Sequence, residues 1–482
     1  MNYVRHSIIN VKRKVEDYLV QGEINNALTA IHNFVELIVT EPVCTAWVFA
    51  SQDLDNLCQK LGRLSFNSLI EQANDPWPKR EEGPTVIYLI SRFQRSGGQS
   101  RLIQDFIRAQ PEKNHLILST EIGGPSDIDY VSKLFAGSKK VLFLRASRGR
   151  LDARLRWLQS TLVIIKPHHV YLFNHHQDSV CAAAFVPELR LDGSFVHHGD
   201  HHLCLGVHLK HLAHLDLHPM GYHHCRDVLG VKNHYLPLTF ADQLCLDSPK
   251  HLACGSPMVT ATVAGANKVE IPYHISYLDL VPQILQATRG THLHIGKLSR
   301  IGLNRIYGHL RRLGIPKSRF VYIQWTPSVW AALKEHKVDV YIASFPYGAG
   351  LTLIEAMGAG IAVKLHRHSY SRVLSSLELG YPEAFSWSDP SDLLAHLQTL
   401  TPAQIDSESL LARRQYERFH QPELLKAFFD NPGCYDATVP PLAKFEQRLD
   451  EWGAWAQQHV TIGAWIHRYA YRLFRRVRRF LC

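Results

Sequence analysis

Residues 338–363 read VDVYIASFPYGAGLTLIEAMGAGIAV, and this stretch gives the clearest indication of the fold class. Its first residues are apolar or β-branched and predict a buried strand. Pro346, Gly348 and Gly350 predict a turn after the strand, and the apolar run that follows predicts a helix from Leu351 or Thr352. A buried strand that leads through a glycine-rich turn into a helix indicates a domain of the α/β class.

The turn in this stretch has the features of a phosphate-binding loop. Gly348 and Gly350 allow the backbone to approach a ligand closely. The start of the helix offers unpaired N–H groups and a partial positive charge to a phosphate, and Thr352 adds a hydroxyl donor. Glu355 lies one turn further along, where its carboxylate can accept hydrogen bonds from vicinal sugar hydroxyls. The stretch therefore predicts a site for a diphosphate flanked by sugars.

Short apolar runs alternate with helical segments on both sides of this stretch. Parallel strands joined by crossover helices are the expected result. The predicted strands are 86–90, 116–118, 141–144, 162–165 and 170–173 in a first group, and 259–263, 292–295, 320–323, 338–343 and 361–365 in a second. The predicted fold class is α/β, with two Rossmann-like doubly wound domains that face a ligand-binding cleft.

Four segments are predicted along the chain. Residues 1–80 form a small all-helical domain, because apolar residues recur at helical spacing and three prolines within 75–84 then break the pattern. This helical segment is either a cap on the next domain or a single tetratricopeptide-like hairpin. The two α/β domains span 84–250 and 255–410, and residues 411–482 form C-terminal helices.

The motif parts SFPYGAG and LIEAMGAG resemble the donor-site motif of GT-B glycosyltransferases, enzymes with two Rossmann domains that use nucleotide sugars. They are similar to the retaining family that builds bacterial surface polysaccharides, and also to the family of O-GlcNAc transferases and adhesin N-glucosyltransferases. The resemblance covers about residues 85–410. The retaining family usually carries a Glu-x7-Glu pair. Glu355 matches its second position but Tyr347 occupies the first, so the stereochemical outcome stays open.

The resemblance implies a donor site in the 255–410 domain and an acceptor side in the 84–250 domain. Gly97 and Gly98 match the family's glycine-rich loop after the first strand. Lys268 resembles a diphosphate-binding lysine that offsets leaving-group charge, although an exposed loop lysine is the alternative. Gln324 follows another strand and is suited to read the base edge. The predicted donor-binding residues are Gly97, Gly98, Lys268, Gln324, Tyr347, Gly348, Gly350, Leu351, Thr352 and Glu355.

Histidine is abundant in this chain, and 14 of its 30 histidines lie between positions 168 and 224. His198 and Asp200 follow a predicted strand at 194–197 that opens into the cleft. An imidazole there can take a proton from an acceptor hydroxyl, as at the similar position in inverting GT-B enzymes. These two residues are the predicted catalytic residues, and a structural role for the histidine is the alternative.

The histidines also raise the alternative of a metal-dependent hydrolase. Their spacing matches neither H-E-x-x-H nor H-x-H-x-D-H, so no metal ligand is predicted. A further run recurs at three- to four-residue intervals and predicts one face of a helix without a functional role. Its members are His208, His211, His214 and His218.

The net charge of +10 is concentrated at the end of the chain, where residues 464–482 hold six arginines and no acidic residue. A near-neutral body with a basic tail favours an enzyme over a nucleic-acid-binding protein. The tail predicts an amphipathic helix that either lies on an anionic membrane surface or packs back on the first α/β domain. The charged N-terminus and nine scattered cysteines predict a cytoplasmic protein.

The sequence thus predicts a metal-independent glycosyltransferase without a cofactor other than its nucleotide-sugar donor. The expected acceptor is a bacterial surface glycan, a lipid-linked glycan or a protein, and the expected location is the cytoplasm or the inner face of the plasma membrane. Two alternatives stay open besides the transferase, namely the metal-dependent hydrolase and a catalytically inactive helical-repeat adaptor. The sugar, the base and the acceptor are not specified by the sequence.

Overall fold

The computed structural model describes residues 2–40, 47–72, 84–95, 98–242 and 256–459. Most of the predicted 75–84 boundary, Gly97 of the glycine-rich loop and the arginine-rich tail at 464–482 lie outside the described residues. Among the described residues, no helix is both long enough and apolar enough to cross a membrane.

Three helices open the chain, in agreement with the predicted helical character. They are α1 (Asn2–Val20), α2 (Ile24–Val39) and α3 (Gln52–Gln72). The apolar stripe of α2 is buried, as its three- to four-residue spacing predicts. Its buried apolar residues belong to the same hydrophobic core as the first α/β domain, so these helices cover one face of that domain.

The first α/β domain is built on a sheet of seven parallel strands in the order β3-β2-β1-β4-β5-β6-β7. Its strands are β1 (Thr85–Ile90), β2 (Asn114–Ser119), β3 (Val141–Arg145), β4 (His169–Phe173), β5 (Gly193–His197), β6 (Ala213–Asp216) and β7 (Asn233–Tyr235). Its helices are α4 (Gly98–Ala109), α5 (Ile128–Leu134), α6 (Leu151–Ile165), α7 (Ser179–Ala184) and α8 (Pro219–Asp227).

Two sequence predictions in this domain are wrong. Residues 162–165 form the last turn of α6 rather than a strand, and only Leu162 among them is fully buried. A short apolar run does not distinguish a strand from one turn of a half-buried helix. The histidine run is not one helical face either, because His214 lies in β6 and is paired in register with Phe195 of β5.

The second α/β domain has six parallel strands in the order β10-β9-β8-β11-β12-β13. They are β8 (Thr260–Val263), β9 (His292–Ile295), β10 (Phe320–Ile323), β11 (Val340–Ile342), β12 (Ala362–His366) and β13 (Phe385–Trp387). Its helices are α9 (Ala266–Val269), α10 (Tyr277–Thr288), α11 (Arg300–Arg312), α12 (Val329–Glu335), α13 (Leu351–Gly358) and α14 (Pro390–Thr399). Strand β11, the turn and α13 confirm the interpretation of residues 338–363.

The last three described helices join the two domains. They are α15 (Pro402–Phe419), α16 (Glu423–Asp430) and α17 (Leu449–His459). Helix α15 packs on α13 and β12 of the second domain, whereas α16 returns to the first domain and packs on α4. The ring centroids of Phe429 and Phe106 lie 5.0 Å apart at this contact. The chain therefore returns from the second domain to the first at α16, and this contact sets one domain against the other.

A close helix contact holds α3 on the first domain, and it depends on a glycine. A Cβ added at Gly62 would lie 1.9 Å from the carbonyl oxygen of Ala183 in α7. We expect Gly62→Ala to lower the free energy of unfolding by about 1–3 kcal/mol, because the backbones must separate. In Gly308→Ala the new methyl group meets no atom within 4 Å on α11, so this control should be neutral or stabilised by up to about 1 kcal/mol.

Urea denaturation followed by circular dichroism measures both effects as shifts of the transition midpoint. Equal midpoints for the two glycine variants would contradict the close packing of α3 on α7.

Candidate active-site cleft

A cavity of about 470 Å³ lies between the two domains, at the carboxyl ends of both sheets. Its walls come from the loops after β1, β4, β5, β6 and β7 of the first domain and after β8, β11 and β12 of the second. The volume is in the range of ordinary ligand sites. Of the predicted site residues, the cavity is lined by Gly98, His198, Asp200, Lys268, Tyr347, Gly348, Gly350, Leu351 and Thr352.

A second cavity, of about 750 Å³, is larger, but it does not contain the predicted site residues. It lies at the amino-terminal ends of β4 and β5, against α3, where parallel α/β sheets do not usually bind ligands. Its wall includes Glu71, close to a stretch outside the described residues. We therefore assign the candidate site to the cavity between the domains.

Two helix N-termini converge on the interdomain cavity. Helix α4 begins at Gly98 and helix α13 at Leu351, and both residues line the cavity. A Cβ added at Gly98 would lie 3.6 Å from Leu351 Cδ1, so the two helix starts face each other at close range. Each helix start presents unpaired N–H groups and a partial positive charge. Together they form a position that favours an anion.

Lys268 brings a full positive charge to the same position. Its Nζ donates to the carbonyl oxygen of Gly348 at 2.9 Å, and its own carbonyl oxygen accepts from the Tyr347 N–H at 3.3 Å. Burial lowers the pKa of Lys268 to about 8, which still leaves the ammonium mostly protonated at neutral pH. The predicted diphosphate lysine therefore lies beside the predicted phosphate loop.

The turn before α13 is tight at one glycine and open at the other. A Cβ at Gly348 would lie 2.4 Å from Ser376 Oγ, whereas a Cβ at Gly350 would meet no atom within 4 Å. Gly348 is thus needed for packing, and Gly350 leaves room for a ligand. Thr352 Oγ1 accepts a hydrogen bond from the Tyr341 hydroxyl at 3.1 Å, so its own proton remains to be donated to a ligand.

Glu355 does not line the cavity, although the sequence predicts it in the donor site. Its carboxylate is buried and accepts the backbone N–H of Trp330 at 3.1 Å, at the start of α12. Burial raises the pKa of Glu355 to about 7. The structure thus gives this carboxylate a helix-capping partner, and its contact with a donor sugar stays a prediction.

Gln324 is exposed after β10 and does not line the cavity. The neighbouring Trp325 is 49% exposed, so it is not a core residue. The guanidinium of Arg95, from the first domain, lies 5.6 Å from the centroid of the Trp325 ring. A role for Gln324 in reading a base stays a prediction.

On the opposite wall, His198 is enclosed by partners from its own domain. The Gln99 side-chain amide contacts its Nε2, and the carbonyl oxygen of Val196 lies 3.4 Å from its Nδ1. Burial, together with the neighbouring His175, lowers the pKa of His198 to about 3. The imidazole is therefore neutral at physiological pH, and both of its nitrogens have partners within the domain.

Asp200 and His201 form a pair that the sequence analysis missed. His201 Nδ1 and Asp200 Oδ1 lie 2.6 Å apart, and the His201 side chain is 35% exposed on the cavity wall. Burial raises the pKa of Asp200, but the hydrogen bond from His201 and nearby imidazoles outweigh it and lower that pKa to about 2. The ionised carboxylate accepts from Nδ1, which leaves Nε2 of His201 as a proton acceptor. The signal in the sequence was the histidine directly after Asp200.

Tyr347 joins the two walls. Its hydroxyl lies 2.7 Å from His202 Nε2, across the cleft, and its ring centroid lies 5.5 Å from that of His201. Burial lowers the pKa of His202 to about 3, so this imidazole is neutral and can accept the tyrosine proton. The residue that replaces the first glutamate of the retaining pattern is thus an interdomain contact.

Within the described residues, one group has a geometry suitable for a metal ion, and it lies away from the cavity wall. It consists of His197, His214, Asp216 and Cys225, whose potential ligand atoms lie within 4.8 Å of one another. All four side chains are buried. A hydrolytic metal needs an open position for water and substrate, which a buried group does not provide.

No protein-family model and no curated protein sequence matches the chain, whereas solved structures do. The lipopolysaccharide outer core galactosyltransferase WaaB has a TM-score of 0.51 and 16% identity, over 72% of this chain and 98% of that chain. A Thermobaculum terrenum O-GlcNAc transferase mutant has a TM-score of 0.50 and 13% identity, over 93% and 84%. Anabaena HepE in complex with UDP has a TM-score of 0.55 and 12% identity, over 72% and 98%.

These similarities establish the fold. The chain has the GT-B fold of two facing Rossmann-like domains, and the predicted fold class and resemblance are confirmed. The O-GlcNAc transferase match spans 93% of this chain, so it is not confined to the two α/β domains.

The buried carboxyl of Glu355 predicts a measurable pH dependence of stability. Its pKa is raised in the folded protein, so the folded state holds a proton that the unfolded state has lost between about pH 4.5 and 7. Its contribution to stability is therefore full below that range and is lost as the pH rises through it, by on the order of 3 kcal/mol. Glu355→Gln keeps an acceptor for Trp330 and should remove this loss.

The measurement is the free energy of unfolding in urea at several pH values, with the exposed Glu335→Gln as control. We expect the control to follow the wild-type pH dependence. A Glu355→Gln profile parallel to that of the wild type would contradict the raised pKa.

Proposed function

We propose that the protein is a glycosyltransferase that moves a sugar from a nucleotide-sugar donor to an acceptor. The convergence of α4, α13 and Lys268 on one cavity is the observation that carries this proposal. Two helix N-termini and an ammonium suit a diphosphate, which is the common part of nucleotide-sugar donors. HepE, which shares the fold, is described in complexes with UDP and with UDP-glucose.

The same groups would stabilise the leaving group. As the glycosidic bond breaks, negative charge grows on the departing nucleoside diphosphate. Groups already oriented toward that charge lower the barrier, because they need little reorganisation during the reaction. The N–H groups at the starts of α4 and α13, the Thr352 hydroxyl and the Lys268 ammonium are the candidates. Donor binding in this proposal requires no metal ion.

On the acceptor side, we assign proton transfer to the Asp200–His201 pair. The Asp200 carboxylate accepts a hydrogen bond from the Nδ1–H group of His201, which leaves the unprotonated Nε2 toward the cavity. Nε2 can then take the proton of an acceptor hydroxyl as the hydroxyl oxygen attacks the sugar. His198, the sequence-based candidate, has both nitrogens engaged by Gln99 and Val196. This assignment belongs to an inverting reaction, in which a base lies opposite the leaving diphosphate.

The acceptor class and the location are part of the same proposal. WaaB is described as a lipopolysaccharide outer core galactosyltransferase and the Thermobaculum protein as an O-GlcNAc transferase. We propose a bacterial surface glycan or a protein as acceptor, in the cytoplasm. Attachment to the inner membrane surface through residues 464–482 stays a prediction.

Nucleotide binding gives the first test. A panel of nucleoside diphosphates and nucleotide sugars should contain one ligand that raises the melting temperature, because saturation at 100 times Kd stabilises by about 2.7 kcal/mol. Lys268→Ala should lower the affinity for this ligand by about 10–100-fold, because the variant loses a hydrogen bond to a charged group. The exposed Lys297→Ala removes the same charge outside the cavity and should bind as the wild type does.

The absence of any nucleotide-dependent shift would favour the inactive-adaptor alternative. Equal affinities of Lys268→Ala and Lys297→Ala would contradict the role of Lys268.

The proton-transfer assignment is tested by slow hydrolysis of the donor, which needs no identified acceptor. His201→Ala should lower this rate by about 10²–10⁴-fold while donor affinity is retained, because water must also lose a proton to the base. Asp200→Asn should lower the rate as well, since an amide no longer fixes the imidazole tautomer.

The anomeric configuration of the product and the His198→Ala variant complete this test. Retention of configuration would contradict a general base. If His198→Ala abolishes hydrolysis whereas His201→Ala does not, the proton goes to His198 instead.

A further inference from the structure

Four buried side chains from three elements meet at the carboxyl edge of the first sheet. His197 ends β5 and Asp216 ends β6, and the two residues are paired in register on neighbouring strands. His214 precedes Asp216 by two residues on β6, so both side chains lie on the same face. Cys225 comes from α8, which follows β6. We call these four residues the His–Asp–Cys cluster.

Four of the six distances between ligand atoms of the His–Asp–Cys cluster are within about 0.5 Å of those around a tetrahedral zinc ion, and all six are at most 4.8 Å. Bond lengths of about 2.0–2.1 Å to N or O and about 2.3 Å to S place ligand atoms about 3.3–3.6 Å apart. Asp216 Oδ1 lies 3.3 Å from His214 Nε2 and 3.4 Å from Cys225 Sγ. Cys225 Sγ lies 3.5 Å from His197 Nδ1. The distance between His197 Nδ1 and Asp216 Oδ1 is 2.8 Å, so metal binding requires these two atoms to separate by about 0.5 Å.

Hydrogen bonding alone leaves part of this cluster unexplained. His197 Nδ1 and the Cys225 thiol both reach Asp216 Oδ1. His214 is 3% exposed, and neither of its ring nitrogens has a hydrogen-bond partner among the described residues, although Nε2 is 3.3 Å from Asp216 Oδ1. A buried nitrogen at that distance without hydrogen-bonding geometry is costly. A shared cation would give it a partner.

We propose that His197, His214, Asp216 and Cys225 bind one Zn²⁺ ion as a closed structural site. Two neutral imidazoles, a carboxylate and a thiolate neutralise the divalent charge, as a buried site requires. Binding forms four bonds to the metal and releases the thiol proton of Cys225 to solvent, together with any proton that His197 and Asp216 share. A mixed nitrogen, oxygen and sulfur set in tetrahedral arrangement favours zinc over magnesium or calcium.

A neighbouring amide orients the carboxylate of this site. Asn233 Nδ2 donates to Asp216 Oδ2 at 2.6 Å and to the carbonyl oxygen of Tyr222 at 2.8 Å. The carboxylate is thereby oriented with Oδ1 toward the other three ligand atoms. Such outer hydrogen bonds are a regular feature of protein metal sites.

The zinc site would also anchor the cleft wall. The backbone passes directly from His197 into His198–His202, the loop that carries Asp200. A Cβ added at Gly221 would lie 3.1 Å from Asp200 Oδ2 and 3.3 Å from Asp216 Oδ1, so the two carboxylates flank the same glycine. Because all four zinc positions are filled by the protein, the ion has no open position for a donor or for water. The inference is therefore independent of the proposed transferase activity.

Metal analysis of the full chain tests the site. The protein is expressed without a histidine tag in zinc-supplemented medium, and washed with a mild chelator that removes surface-bound metal. We expect about one zinc ion per chain in the wild type and a loss of about tenfold or more in Cys225→Ala. Cys181→Ala removes sulfur from an equally buried position of the same domain, outside the cluster, and should keep its zinc.

Cobalt gives a second measurement that does not depend on how well a variant folds. Wild-type protein prepared with Co²⁺ should show the near-ultraviolet sulfur-to-cobalt charge-transfer band and the visible bands of tetrahedral coordination. Cys181→Ala should keep the thiolate band. A wild-type protein with well under one equivalent of zinc after supplementation, or cobalt without a thiolate band, would overturn the proposal.

Discussion

The arrangement of this molecule depends on one constraint, that parallel strands can be joined only by crossover connections. All loops that follow the strands therefore gather at one edge of each sheet, and helices begin there with their N–H groups pointing outward. In this chain the edge occurs twice, and the return of α16 to α4 sets the two edges against each other. The cavity lies between these two edges. The glycine-rich loops and the partial positive charges at the starts of α4 and α13 therefore face the same space.

The interdomain cavity is polarised along the line from one domain to the other. On the second domain, Lys268 and the start of α13 favour negative charge. On the first domain, the start of α4 adds to this field, and the Asp200 carboxylate accepts a hydrogen bond from His201. The groups that favour negative charge and the Asp200–His201 pair therefore lie on the walls of one cavity.

The fold was readable from the sequence because its signals are local. The strand, turn and helix within 338–363 follow from apolar spacing and from glycines, and neither depends on distant residues. The glycines at 98, 348 and 350 could be predicted in the cleft for the same reason, since loops after parallel strands share an edge. The error at 162–165 arose where a run of four apolar residues is compatible with either period.

The partners of individual side chains could not be read in this way. Glu355 was correctly predicted on a helix near the turn, but its contact with Trp330 depends on how α12 packs beside α13. The pairing of Asp200 with His201 and of Tyr347 with His202 depends on backbone direction in a short loop and on the approach of two domains. The contacts of Glu355 and of Tyr347 join residues that are distant in the chain, so sequence spacing does not predict them. Asp200 and His201 are adjacent, but adjacency alone does not show that their side chains are paired.

The histidine-rich segment combines both kinds of information. Its composition pointed to metal chemistry, but its spacing matched no known motif because the four residues come from two strands and a helix. Their meeting follows from the β5–β6 register, which pairs His197 with Asp216, and from the turn that brings α8 back over β6. The histidine-rich segment therefore contributes to two places: His197 and His214 are buried inside the first domain, whereas His201 lines the cavity, where an imidazole can exchange a proton with a ligand.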